Sequence, residues 1–309
     1  MPSPRFDTVS FLSDYGTRDE FVGVVHSVIR SIAPHASVVD IGHHVRPYDI
    51  KGGSLMLARS VQYLCPGVVL AVVDPGVGTR RRGVAIEVGD GESYLVGPDN
   101  GLLAPAVGLV GGATRAVELT AERYRLAAPG GTFAGRDIFA PAAAHLCAGV
   151  AFEELGPAVD PGELVPGIVP LPREEDGALV GEILWVDRYG NCQLNVDPDE
   201  VAGWGDRIQL RWRRPREGVR TARRAGAFDE LEAGQVGLIT DSYGLLAVSV
   251  TRGSAAETLG LEAGDELALV PLVGDEPGQD EHGHENENEN GHGDRGVTSP
   301  VTLHPRRPA

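Results

Sequence analysis

Apolar positions in the first half of the chain follow two alternating rhythms. Short apolar runs at VSFLSD (9–14), SVVDIGH (37–43), VVLAVVDPGVG (68–78), GVAIEV (83–88) and SYLVGP (93–98) predict strands. Helical apolar spacing predicts helices over 21–32, 51–64 and 137–146. The run from Val68 is apolar without interruption, so that strand should be buried on both faces, as in a mostly parallel sheet. Strands alternating with helices predict an α/β N-terminal domain with a mostly parallel layered sheet. Pro and Gly then crowd residues 156–177, which reads as a linker. Beyond it the pattern changes to short, alternating, turn-punctuated strands at 179–196, 206–214, 234–253 and 265–272. That pattern predicts a small all-β, barrel-like C-terminal domain. The expected division is 1–158 for the α/β domain, 159–177 for the linker and 178–274 for the barrel, with an acidic tail over 275–309.

Length agrees with two domains, because a single core rarely grows past about 250–300 residues and this chain has 309. Hydrophobic residues at 42% and charged residues at 23% supply ordinary globular cores, so no unusual class needs to be invoked. The net charge of −17 disfavours a nucleic-acid partner, which needs a basic footprint. Much of that charge is local. Eight acids and no Lys or Arg fall between Asp275 and Asp294, around HENENENGHGD, a composition too polar to bury a core and therefore expected to be disordered. His282, His284 and His292 in that tail offer weak metal binding at most, and a solvated tail is the plainer reading.

Cys65, Cys147 and Cys192 are three, widely spaced and without a CxxC pair. They predict neither a disulfide framework nor a zinc site, fit a reducing cytoplasm, and are each expected to pack as a small apolar residue. The opening MPSPRFDTVSFLSDYG lacks the layout of a signal peptide, and no apolar stretch is long enough to predict a membrane span.

Candidate chemistry gathers just after the predicted strands, where open α/β sheets bind ligands. Asp14 in FLSDYGTRDEF is placed to accept two hydrogen bonds from a ribose diol, or, with Ser13, to cap the next helix. Asp74 ends the buried strand in VVDPGVGTRRRG, and Arg80, Arg81 and Arg82 follow closely. A carboxylate beside an arginine can orient and polarise water while the arginine keeps it ionised; the alternative is a surface turn with solvated arginines. The glycine spacing matches neither GxGxxG nor a P-loop. GPDNGLLAP (97–105) and GGTFAGRDIFAP (130–141) are Gly-rich loops entering helices, and Arg136 and Asp137 are expected to pair with each other. In the β region, VDRYGNCQLN and TDSYGLL supply four candidates. Asp187 suits an ammonium group, Asn191 an adenine edge, Tyr189 a stacked base and Ser242 a carboxylate, unless both segments are simply β-turns with Gly190 and Gly244 at positive φ. No GxSxG elbow and no HExxH occurs.

Taken in order, FLSDYG, VVDPGVGTRRR, GPDNGLL, TFAGRDIFAP, VDRYGN and DSYG resemble the S-adenosylmethionine hydroxide adenosyltransferases, relatives of the fluorinase and chlorinase. The matches run from residue 11 to about 270. The resemblance implies hydrolysis of S-adenosylmethionine to adenosine and methionine, without cofactor or metal. It also implies a homotrimer with active sites between the α/β domain of one subunit and the β domain of the next. Asp14 is then the ribose ligand, Tyr48 in VRPYDI a pocket wall, Asp187 and Ser242 the methionine contacts, and Asn191 the adenine reader. The water-using branch carries Asp in the DPGVG loop with Arg seven residues on, here Asp74 and Arg81; the halogenases carry Tyr, since a carboxylate repels a halide. One position departs from the branch: Ala134 stands where its members usually have His. A halogenase of the same fold, or a binding protein for adenosine or S-adenosylmethionine with weak catalysis, are the alternatives. His43, His44 and His145 are the candidates to replace the missing imidazole.

Overall fold

The structure is a computed structural model and describes residues 5–213 and 216–272. The acidic tail expected from Asp275 onward lies outside the described residues.

The first sheet has seven strands: β1 (Thr8–Ser13), β2 (Ser37–Gly42), β3 (Val68–Val72), β4 (Gly83–Val88), β5 (Ser93–Pro98), β6 (Arg115–Glu118) and β7 (Ala158–Val159). Their spatial order is β2-β1-β3-β5-β4-β6-β7. The first four in that order are parallel, and the β5–β4, β4–β6 and β6–β7 pairings are antiparallel. The sheet is therefore mostly parallel, with only β4 and β7 reversed. Every residue of β3 is buried, as its unbroken apolar run predicts. Helices cover both faces. α1 (Phe21–Ile32) and α4 (Ala140–Cys147) pack on the face carrying Val9, Phe11 and Leu70. α2 (Ile50–Val61) and α3 (Ala104–Leu109) pack on the face carrying Leu12, Val69 and Ala71. Side chains that alternate along one strand thus feed two separate cores.

The helix predicted over 137–146 begins earlier, as a π-helical turn over Gly135–Phe139 that runs into α4. Tyr15 accounts for the glycine at that turn, because a Cβ on Gly135 would lie 2.1 Å from its hydroxyl.

The second sheet holds β8 (Arg173–Glu175), β9 (Ala178–Val186), β10 (Cys192–Leu194), β11 (Arg207–Trp212), β12 (Gly218–Ala225), β13 (Val236–Thr240), β14 (Leu246–Val250) and β15 (Glu266–Pro271). The order β10-β14-β13-β12-β11-β15-β9 closes on itself through β9–β10 pairing. This is a seven-stranded closed barrel, with β8 added on β9. Closure leaves no free edge among the seven strands, and Ile183, Leu194, Leu210, Leu238 and Val248 fill the interior. The short helix α5 (Ala255–Leu259) plugs against the same core through Ala255 and Leu259. The two sheets meet through α2 and β9: Lys51 pairs with Glu182, and the Arg59 guanidinium lies 4.4 Å from the Trp185 ring. Cys147 and Cys192 are buried, and burial pushes both thiols up to about 12, whereas Cys65 is exposed and does not pack as expected.

Candidate active site

The first half of the site stands at the ends of β1 and β3. Asp14 continues β1 by donating its backbone N–H to Val72 O at 3.3 Å. Its carboxylate does not cap α1, whose N-cap is Glu20 with no side-chain bond. Instead Asp14 Oδ2 accepts the Tyr48 backbone N–H at 2.9 Å. Tyr48 is held at φ 70°, costly for a bulky residue, and its side chain is 73% exposed. The aromatic ring is thus displayed beside Asp14 and left without a core to pack into.

Asp74 follows β3 and begins a tight turn in which Val77 N–H donates to Asp74 O and Gly78 takes φ 77°. The turn folds Arg81 back onto its own first residue: Arg81 Nη2 donates to Asp74 Oδ2 at 2.5 Å. Both are nearly sequestered, with side chains 6% and 13% exposed for Asp74 and Arg81, so the solvated-arginine alternative does not hold for Arg81. Phe139 lies under the guanidinium at 5.2 Å, and Asn100 Nδ2 holds Val73 O at 2.9 Å. Arg82 turns the other way, to Asp99 at 2.7 Å. Burial raises the Asp74 carboxyl above its ordinary value, and Arg81 opposes that rise. The second oxygen, Asp74 Oδ1, is buried and has no hydrogen-bond partner.

Tyr15 is the residue that sequence reasoning did not single out, although it stands in FLSDYG. Its ring is enclosed by Phe11, Phe21 and Phe133. Burial first, then the charges of Asp14 and Asp74, push its phenol far above the ordinary value. It therefore stays protonated, a buried phenol that feels the charge of both carboxylates. Ala134 is buried in the core beside it. His43 bonds to Ser13, His44 to Thr17, and His145 packs edge-on against Tyr124. Among the described residues none of these three hydrogen-bonds to Asp74 or Arg81. Arg136 and Asp137 pair with each other at 2.6 Å.

The second half is in the barrel. Asp187, Tyr189, Asn191 and Ser242 line one cavity of 370 Å³ together with Trp185 and Gln193. Two matching turns build it. Asp187 Oδ1 accepts the N–H groups of Tyr189 and Asn191 at 2.8 and 2.9 Å, with Gly190 at φ 83°. Asp241 Oδ1 accepts those of Tyr243 and Leu245 at 2.8 and 3.2 Å, with Gly244 at φ 83°. β10–β14 pairing sets the turns side by side. They are the β-turns the glycines predicted, and they also form a pocket. Asn191 Nδ2 donates to Asp187 Oδ2 at 2.7 Å, which leaves its carbonyl oxygen and second proton free. Tyr189 is 78% exposed, a ring presented outward. Among the described residues no hydrogen bond joins this barrel set to Asp14, Tyr48, Asp74 or Arg81.

An α/β layer feeding a buried Asp–Arg pair, followed by a closed barrel with a polar turn pocket, defines a two-part fold that matches a known family. The chain belongs to the S-adenosylmethionine hydroxide adenosyltransferases: residues 9–156 match the family's N-terminal domain and 181–268 its C-terminal domain. It is 44% identical over 261 residues to an (R)-S-adenosyl-L-methionine hydrolase of Salinispora arenicola, covering 84% of this chain and 97% of that one. A protein of the same name from Thermus thermophilus is 41% identical over 274 residues, covering 85% and 99%. A fluorinase from an Actinoplanes species is more distant, 28% identical over 291 residues, covering 85% and 97%. Among solved structures, an uncharacterised conserved protein from Thermotoga maritima superposes with a TM-score of 0.77 at 32% identity, over 85% of this chain and 99% of that one.

Proposed function

We propose that the chain hydrolyses S-adenosyl-L-methionine at ribose C5′ to adenosine and methionine, with Asp74 as general base and Arg81 as its partner. The observation that carries this reading is the asymmetry of Asp74: one oxygen is fixed by Arg81 at 2.5 Å, and the other is buried and unpaired. In the reaction the water oxygen bonds to C5′, the C5′–S bond breaks, and its electron pair passes to sulfur, leaving a neutral thioether. The water proton goes to Asp74 Oδ1. Alignment of water opposite sulfur supplies several kcal/mol, on the order of what a well-oriented intramolecular reaction gains. A buried carboxylate at this point repels a halide and accepts a proton, which favours water over the fluorinase chemistry of the more distant relative.

In the same reading Asp14 holds the ribose diol and Tyr48 walls the pocket. Asp187 and Ser242 take the methionine ammonium and carboxylate, and Asn191 with Tyr189 takes adenine. The names of the 44% and 41% identical relatives support the (R)-sulfonium epimer as substrate. Assembly into a trimer would bring the two halves of the site together across a subunit interface. Free cysteines fit a reducing compartment, and among the described residues no helix is long and apolar enough to cross a membrane.

Ala134 favours one second reading, a ligand-binding relative that has lost catalysis with its imidazole. Chromatography of products from each sulfonium epimer, with and without chloride, separates the possibilities. Chloride-independent adenosine and methionine support the hydrolase. A 5′-chloro-adenosine assigns the chain to the halogenases, and binding by calorimetry without product supports the non-catalytic relative.

A further inference from the structure

Three side chains outside the reaction centre turn ligand atoms toward one point at the β1–β2 end of the first sheet. His26 comes from α1, Asp40 from β2 and His43 from just beyond β2. His26 Nε2 lies 2.8 Å from Asp40 Oδ1, and His43 Nε2 lies 2.9 Å from the same oxygen. All three ligand atoms fall within 4.8 Å of one another. His43 is the informative member. Its ring is 5% exposed and packs 4.6 Å from Phe11. Its Nδ1 is engaged by Ser13 Oγ at 2.8 Å, so Nε2 is the atom left to face Asp40. That buried Nε2 makes no hydrogen bond, despite its nearness to the carboxylate. A histidine whose far nitrogen is fixed by a hydrogen bond, with the near one orphaned toward a carboxylate, has the orientation of a metal ligand.

We propose that His26, Asp40 and His43 bind one divalent transition-metal ion of the zinc class, with water in the fourth position. Two imidazoles and a carboxylate are a donor set such ions prefer, and one that an all-oxygen ion such as magnesium does not. A tetrahedral ion with bonds of about 2.0–2.1 Å spaces its ligands about 3.3–3.4 Å apart, so the carboxylate and each imidazole separate by about half an ångström on loading. His26 and Asp40 are 34% and 43% exposed, which gives the ion a path in and leaves a side open to water. The ion would staple α1 to β2. It would also brace the Asp14 turn, because Ser13 holds His43 and Gly16 N–H donates to His43 O at 2.6 Å. The staple shares no residue with the Asp74–Arg81 pair, so its failure and failure of the hydrolase reading are separate results.

The test is a titration of metal-stripped full-length protein with Co²⁺ and Zn²⁺, read by calorimetry and by the visible d–d absorption of low-symmetry Co²⁺. His282, His284 and His292 are replaced by Ala throughout, to remove competition from the tail. The expected result is one equivalent bound, a visible Co²⁺ band, and a Tm raised by Zn²⁺. His26→Gln and Asp40→Asn, both at partly exposed positions, should each weaken binding by at least about tenfold and abolish the Tm gain. Absence of one-equivalent binding in the tail-substituted protein overturns the proposal. So does binding unchanged by His26→Gln, and either result leaves a metal-free His–Asp–His cluster.

Discussion

Asp74 gains its proposed role from two opposed influences at one carboxyl group. Burial raises its pKa, and Arg81 pulls it back toward the ionised form a general base needs. Asp74→Asn should lower kcat by roughly 10²–10⁴-fold with KM little changed, measured by steady-state kinetics; a kcat within threefold of the parent would remove Asp74 from the mechanism. The sign of the pH dependence follows from the same balance. The base works only when deprotonated, so kcat/KM should fall as pH drops through a value above that of an ordinary carboxylate. Arg81→Met removes the opposing cation, and its acid limb should move to still higher pH. Tyr15→Phe tests the protonated phenol that feels the charges of Asp14 and Asp74. Loss of that polar group beside the site predicts a kcat/KM about three- to tenfold lower, whereas a residue that only packs would lose nothing. At this scale the Asp74–Arg81 pair was legible because one Gly-rich stretch of eight residues contains both partners. Tyr15 was not, because its setting depends on Phe133 and Gly135, which arrive from a distant loop.

Elements were legible where burial left a continuous or periodic trace. β4, β5 and α1 fall on the predicted residues, and β3 is the buried strand its composition requires. β12 was not foreseen, because in GVRTARRA only Ala222 is buried and the exposed arginines hide the alternation. α5 escaped because one helical turn after Gly253 is too short to show a period. The His26–Asp40–His43 cluster was invisible for a related reason: its spacing along the chain is not that of a metal motif, and α1 packing against the sheet creates it. The turn glycines were read correctly as turns, but their cost of substitution comes from neighbours. Gly190 sits at φ 83°, and a Cβ there would lie 2.0 Å from Ser254 Oγ, the hydroxyl that caps α5. Gly190→Ala should therefore destabilise the protein by about 2–4 kcal/mol through strain and a disturbed cap, read from urea unfolding. Gly244 has the same φ but open space around it, so Gly244→Ala should cost less.

On the scale of the whole molecule, the eight proposed site residues form two sets that, among the described residues, no hydrogen bond connects within one chain. One set surrounds the ends of β1 and β3, and the other lines the barrel cavity. A reaction that needs both sets needs them from different subunits if the site lies between neighbours in a closed ring. Two variants, each damaged in one half, expose that dependence. Asp74→Asn disables the α/β half. Asp187→Asn keeps an oxygen to accept the Tyr189 and Asn191 N–H groups, so the turn persists, but it removes the charge proposed for the methionine ammonium. Neither homo-oligomer should turn over substrate well at low concentration. Co-expressed in equal amounts and assembled at random, about one quarter of the interface sites pair two undamaged halves, so the mixture should recover about a quarter of the parental activity. If each site were built within a single chain, every site would carry one lesion, and mixing would restore nothing.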